Sequence, residues 1–203
     1  MDRRIVFALL AIAALAAIIG GSGTEAARVR LAPELQKEIE SRTVHIDPGE
    51  LLSLMNNNLV SLFILDVRDE ADFNVFHLRD AQRTPAQAEA DDPTVALPAQ
   101  GVKVLVSNDE AQAEAAWKHL RALGVINLYI LEGGINGWLK LYGAGVEAAG
   151  GEAGDGRLRY RFEEALGEHH PAAAPDRHQV PERTYEKKVK IVVPAAAAGG
   201  GCG

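Results

Sequence analysis

The chain has 203 residues, 47% of them hydrophobic and 24% charged, with a formal net charge of −7. That length suits one globular domain with room for extra segments, at roughly 100–200 residues per domain. The acidic balance speaks against a nucleic-acid partner, which needs basic surface to displace counterions. A single cysteine, Cys202, rules out an intramolecular disulfide framework and a multi-cysteine zinc site.

The N-terminus is apolar on every side. Met1 to Arg4 supplies positive charge, Ile5 to Ile19 contains no polar residue, and small residues follow up to Ala27. Residues 1–27 therefore read as a signal peptide or a membrane anchor, and both remain open. Cleavage after Gly23 or Ala26 fits the small residues. Counting Gly20 and Gly21 brings the run to the lower edge of a span, which takes about 17–25 residues. Arg3 and Arg4 orient the N-terminus inward, so the rest of the chain is expected outside the cytoplasm, in the periplasm or at the cell surface.

Residues 28–43 read as a connector with a short helix opening at Pro33. Thr43 to Ile46 is a short strand pattern. Asp47-Pro48-Gly49-Glu50 starts a helix, with a cap, a first-turn proline and an acid three residues after the cap. Leu62 to Leu65 is an apolar run of the kind buried on both faces of a sheet. It ends at Asp66-Val67-Arg68, with one helical turn expected over 69–73. Residues 79–100 carry Pro85, Pro93 and Pro98 and read as loop. Val102 to Val106 is another buried strand, followed by the polar loop Ser107 to Gln112 and an Ala-rich helix. Trp117 and Leu120 share a face of that helix, and Gly124 ends it. Val125 to Leu131 is a further strand, then Glu132-Gly133-Gly134 and a last helix through Trp138. Alternating strands and helices imply an α/β fold with a central parallel sheet flanked by helices. From 144 onward the Gly/Pro/Ala-rich composition reads as a linker and a flexible, extended C-terminal tail, in which Thr184 to Val193 alternates enough to add a strand to a sheet edge.

A strand, a tight loop and a helix aim backbone N–H groups at an anion. Here the loop starts with Ser107 and carries Asn108, Asp109, Glu110, Ala111 and Gln112. Ser107 as a nucleophile would need an adjacent base and an oxyanion partner; a hydroxyl bonded to backbone is the simpler reading. Asp66 and Arg68 sit where open α/β sheets place ligands, at a strand's carboxyl end. His169, His170 and His178 are imidazoles suited to zinc or copper. They lie in a proline-broken solvated segment, so no metal is expected there.

Asp66-Val67-Arg68, Phe73, His77, the strand Val102 to Val106 with its loop, and Leu131-Glu132-Gly133-Gly134-Ile135 with Trp138 together resemble a rhodanese domain, from about Val44 to Tyr142. The resemblance implies a rhodanese-like three-layer fold. Gly133 and Gly134 would make the tight strand-to-helix turn, and Trp138 would pack the last helix on the sheet. Asp66 and Arg68 would orient the loop through hydrogen bonds, with His77 a packed, hydrogen-bonded side chain. The family's catalytic cysteine, which carries a persulfide, falls at Ser107, and an arginine common at the loop's end falls at Gln112. Phe76 and Asp80 stand where the family usually has glycine. A serine hydroxyl forms no persulfide. Asp109 and Glu110 would oppose an anion such as thiosulfate by about 1–4 kcal/mol for a unit charge near 4 Å.

These departures imply a catalytically silent domain with no cofactor. It would bind a protein partner and use the acidic loop as a recognition surface for a cationic or polar group. The alternative is a sulfur relay in which Cys202, on its Gly-rich tether, carries the persulfide in place of the missing cysteine. Cys202 equally fits an intermolecular disulfide or an incidental exposed thiol.

Overall fold

Runs that are apolar at almost every position make the middle of the sheet. β2 (Leu62–Asp66) is buried over its last three residues, β4 (Val102–Val106) over all five, and β5 (Leu128–Leu131) over all four. The computed structural model describes residues 23–89, 91–152, 154–181 and 183–192. The apolar run at Ile5 to Ile19, expected as a signal peptide or anchor, and Cys202, expected in the alternative reading as a sulfur carrier, lie outside the described residues. Among the described residues no helix is long and apolar enough to cross a membrane.

The sheet has five parallel strands in the order β1–β5–β4–β2–β3, edged by the two-residue strands β1 (His45–Ile46) and β3 (Gln82–Arg83). One face is covered by α1 (Gly23–Glu40) and α4 (Ala111–Ala122). Leu35 and Ile39 of the first, and Trp117 and Leu120 of the second, pack on Leu65, Leu105 and Ile130. The other face is covered by α2 (Pro48–Met55) and α5 (Gly134–Tyr142). Their Leu51, Leu52, Ile135 and Trp138 pack on Ile64, Val104, Val106 and Leu131. A fifth helix, α3 (Glu70–Val75), is short and buries none of its residues. The period-2 alternation of a strand thus splits β4 between two cores, in the three-layer arrangement that the resemblance implies.

Four features depart from the sequence reading. The helix expected to open at Pro33 instead begins at Gly23 and runs through the proline. An internal proline costs about 3 kcal/mol. Burial of Leu35 and Ile39 against α4, with Leu31 partly buried beside them, opposes that cost. Within residues 79–100, read as loop, β3 joins the sheet although both its residues are exposed. In the buried β4 lies a lysine, Lys103, only 1% exposed; its ammonium donates to the carbonyls of Pro98 (2.7 Å), Gly101 (3.0 Å) and Ile126 (3.3 Å).

The fourth departure is residues 144–192, where composition suggests a linker and a loose tail. β6 (Glu147–Ala148) and β7 (Tyr160–Arg161) form an antiparallel pair. Phe162 then stacks on Phe76, at 5.2 Å between ring centroids, and His170 meets both rings edge-on. Ala172 and Ala173 are buried, and Trp138 donates its indole N–H to Ala172 O at 2.7 Å. Phe76, which stands where the family usually has glycine, is the anchor for this extension. Residues 183–192 are extended and belong to no strand; side chains of the domain hold their main chain instead of a ladder.

Burial holds the Lys103 ammonium below its ordinary pKa, yet three carbonyls keep it satisfied. Lys103→Met leaves those carbonyls without their donor and is expected to lower stability by about 1–3 kcal/mol. Urea denaturation measures this; an unchanged midpoint would remove the lysine's structural role.

Candidate functional site

The loop 107–110 leaves the carboxyl end of β4 and is pinned from inside. Ser107 is 1% exposed. Its Oγ donates to the carbonyl of Asp109 and accepts from Ala113 N at 3.2 Å. Both hydrogen-bonding directions of the hydroxyl are therefore used locally. The loop carbonyls turn toward α5: Ile135 N donates to Ser107 O (2.8 Å) and Asn136 N to Asn108 O (3.0 Å). Gly133 and Gly134 make this approach possible. Both have left-handed φ, 71° and 59°, and a Cβ on Gly134 would stand 2.5–2.6 Å from the carbonyl oxygens of residues 107, 108 and 109.

Behind the loop, Asp66 and Arg68 form a buried pair. The guanidinium meets the carboxylate at 2.6–3.1 Å, and Arg68 N also donates to Asp66 Oδ1 at 3.0 Å. Arg68 further donates to Phe76 O (2.7 Å) and Asn108 Oδ1 (3.3 Å). It thereby ties β2, Phe76 and the loop together. Gln112, at the position of the family's arginine, donates to Val67 O at 2.5 Å. Ala111 is the first residue of α4. His77 stacks flat on Phe73, at 3.8 Å between centroids, with Nδ1 2.8 Å from Phe73 O, so it is packed and hydrogen-bonded. Asp80 takes φ 62°, a left-handed backbone at one of the family's glycine positions.

The acidic surface expected of the loop is not on offer. The Asp109 side chain is 13% exposed and that of Glu110 22%. Asp109 Oδ1 accepts from Arg159 (3.0 Å) and Asn136 (3.1 Å), and Oδ2 from the backbone of Gly154 and Gly156, both at 3.1 Å. Asn108 Nδ2 donates to Asp72 Oδ2 (2.5 Å) and Gly156 O (3.0 Å). Segment 154–159 thus lies over the loop as a cover. Glu110 takes a two-point contact from Arg42, at 2.5 and 2.8 Å, and the N–H of Gly133 at 2.6 Å. Residue spacing carries no trace of Arg42 or Arg159. Glu114, one helical turn after Glu110, was visible only as part of the Ala-rich helix.

His45, Glu110 and Glu114 are the one set of metal-type ligands that converge among the described residues, with donor atoms within 4.8 Å of one another. Arg42 already stands against Glu110 as the cation. His169 and His178 are exposed, and His170 accepts from Ala172 N at 3.1 Å. The tail histidines therefore form no cluster among the described residues.

His45 has a fully buried side chain, with Nε2 3.1 Å from Glu114 and Nδ1 without a partner. Burial, and then Arg42, hold its imidazole below its ordinary pKa. Burial alone would raise Glu110, but the hydrogen bonds from Arg42 and Gly133 outweigh it and its pKa is depressed. In both cases the unfolded chain binds the extra proton. The His45 contribution is full above the unfolded value near 6.5 and is lost as the pH falls toward the folded value; the Glu110 contribution follows at lower pH. The melting temperature is expected to drop between pH 7.5 and 5.5, and His45→Gln to flatten that drop. Parallel pH profiles for the two proteins would contradict this.

Residues 47–141 match the family model described as the rhodanese-like domain. No curated protein sequence gives a significant match to the chain. Among solved structures, the Alr3790 protein from Anabaena sp. is 25% identical over 47% of this chain and 75% of its own, with a TM-score of 0.43. The solution structure of the rhodanese-like domain of that Anabaena protein is 22% identical, covering 71% of this chain and 96% of that one, at a TM-score of 0.45. A rhodanese-like domain protein from Staphylococcus aureus is 21% identical over 46% and 89% of the two chains, at a TM-score of 0.40. Residues 47–141 of this chain are a rhodanese-like domain.

Proposed function

We propose that the chain is an exported, catalytically silent rhodanese-like module that docks a protein partner. One observation carries the silence. The residue at the catalytic cysteine's place is Ser107, a buried hydroxyl already donating to Asp109 O and accepting from Ala113 N, beneath a cover made by residues 154–159. An enzyme needs its nucleophile free and a base within reach; here the hydroxyl's neighbours are backbone groups. Asp109 and Glu110 face inward on Arg159 and Arg42, so a partner would be met on another surface. Placement outside the cytoplasm rests on the basic and apolar pattern of residues 1–27, whether cleaved or kept as an anchor.

Incubating the full chain with thiosulfate, beside a Cys202→Ser variant, tests this reading through intact mass before cyanide is added and thiocyanate release afterwards. Neither protein is expected to gain a cyanide-labile sulfur or to release thiocyanate above the no-protein background. Sulfur on the wild type alone would replace the docking module with a relay working through Cys202. Turnover by both proteins would place a catalytic group elsewhere in the domain.

A further inference from the structure

The segment 183–192 is held in an unusual way. Glu50 is 5% exposed, and its carboxylate accepts the backbone N–H of Lys188, at 3.0 and 3.1 Å, and of Val189 at 2.9 Å. From its place three residues after the helix cap, sequence expects Glu50 to fold back on its own helix; it reaches a segment about 138 residues away instead. The Tyr129 hydroxyl accepts from Lys190 N (2.8 Å) and donates to Lys190 O (2.9 Å). The Asn127 amide pairs with both main-chain groups of Val192, at 2.7 and 2.8 Å. These three side chains read the main chain at residues 188, 189, 190 and 192; the Tyr129 and Asn127 contacts, at 190 and 192, have the two-residue spacing of a strand. At the other end, Arg183 clasps the Asp47 carboxylate at 2.9–3.0 Å.

Most of this recognition would transfer to another peptide. Main-chain contacts carry no side-chain identity, so any extended segment satisfies them. Charge supplies the selection. Residues 183–192 carry Arg183, Lys187, Lys188 and Lys190 against Glu186, a net +3; with a total of −7, the rest of the chain stands at −10. The segment is also poorly embedded. Grooves of about 650 and 840 Å³ run along it, the first lined by Glu38, Trp117 and Lys190, the second by Leu52, Tyr142 and Tyr185. Ile191 and Val192 are 45% and 58% exposed. Apart from Val189, partly buried against the core, and the Tyr185 ring beside Gly49, polar clamps at a few points hold it in place.

We infer that Asp47, Glu50, Asn127 and Tyr129 form a binding site for an extended basic peptide, and that residues 183–192 occupy it in cis as a displaceable ligand. A partner protein with an exposed basic segment enters by taking over the contacts of this strap. The inference deepens the docking role proposed above and rests on it, but its test does not touch the Ser107 loop. Failure here therefore leaves the question of catalytic silence where the thiosulfate assay puts it.

The experiment uses the full chain. Lys188→Pro with Lys190→Pro removes two strap N–H donors and leaves the four site residues intact. A fluorescent peptide of sequence RTYEKKVKIV is then titrated by anisotropy. The strap-released chain is expected to bind it one-to-one, at least tenfold tighter than wild type and more weakly as salt rises. Adding Glu50→Gln and Asn127→Ala is expected to abolish binding, and a charge-reversed peptide, ETYEEEVEIV, to show none. A folded strap-released chain that binds no tighter than wild type, or binds both peptides alike, overturns the inference. So does a concentration-dependent dimer that excludes the peptide.

Should the proline variant not fold, hydrogen exchange of the wild type decides. The amides of Lys188, Lys190 and Val192 are expected to exchange by a local opening well before those of β4. Exchange only with global unfolding overturns the inference.

Discussion

Everything at the carboxyl end of this sheet depends on how closely the backbone of the 107–109 loop approaches Gly134. The three carbonyl oxygens lie where a side chain would begin, 2.5–2.6 Å from an ideal Cβ position, and two of them accept N–H groups from the first turn of α5. A helix leaves its first N–H groups without intrahelical partners, and its N-terminus is positive. Here the loop itself is the cap. With its carbonyls turned to α5, the loop brings the acids of 109 and 110 against Arg159 and Arg42, and Ser107 below the surface. One short contact between two elements thus fixes the direction of the whole loop.

The electrostatics follow from that geometry. An acidic loop at an anion-type site would repel itself and any anionic ligand if its charges were bare. Each carboxylate instead meets a guanidinium and at least one N–H, and Asp109 also draws residues 154–159 down over the loop. The Asp66–Arg68 pair does comparable work one layer deeper. Removing either partner would leave an isolated buried charge, far costlier than the intact pair is stabilising. The negative charge of the loop is therefore a structural element, an internal counter-charge for Arg42 and Arg159, rather than a face turned to solvent.

Much of the domain was legible in the sequence, and the reason is local. β2, β4 and β5 are runs of apolar residues, the Asp47-Pro48 start of α2 is a short-range capping pattern, and the tight turn at Gly133-Gly134 needs residues that tolerate positive φ. What stayed hidden depends on distant pairing. β3 consists of two exposed polar residues and exists because β2 has a free edge. The extension after residue 144 is low in hydrophobicity yet seated, because Phe76 offers a ring to Phe162 and Trp138 an N–H to Ala172. Arg42 and Glu110 are 68 residues apart, and no periodicity links them. The acids of the loop could be counted from the sequence; which way they face could not.

Thiol labelling measures whether the Ser107 position is closed as well as lacking a thiol. In a Cys202→Ser background, Ser107→Cys places the protein's one thiol where the family carries its nucleophile. Its rate of reaction with an aromatic disulfide reagent is then measured with Asp109 intact and with Asp109→Ala, which releases the cover of residues 154–159. Labelling is expected to be at least tenfold slower with Asp109 intact. Fast labelling with Asp109 intact, accompanied by thiosulfate turnover, would mean that the pocket is open and lacks only its sulfur.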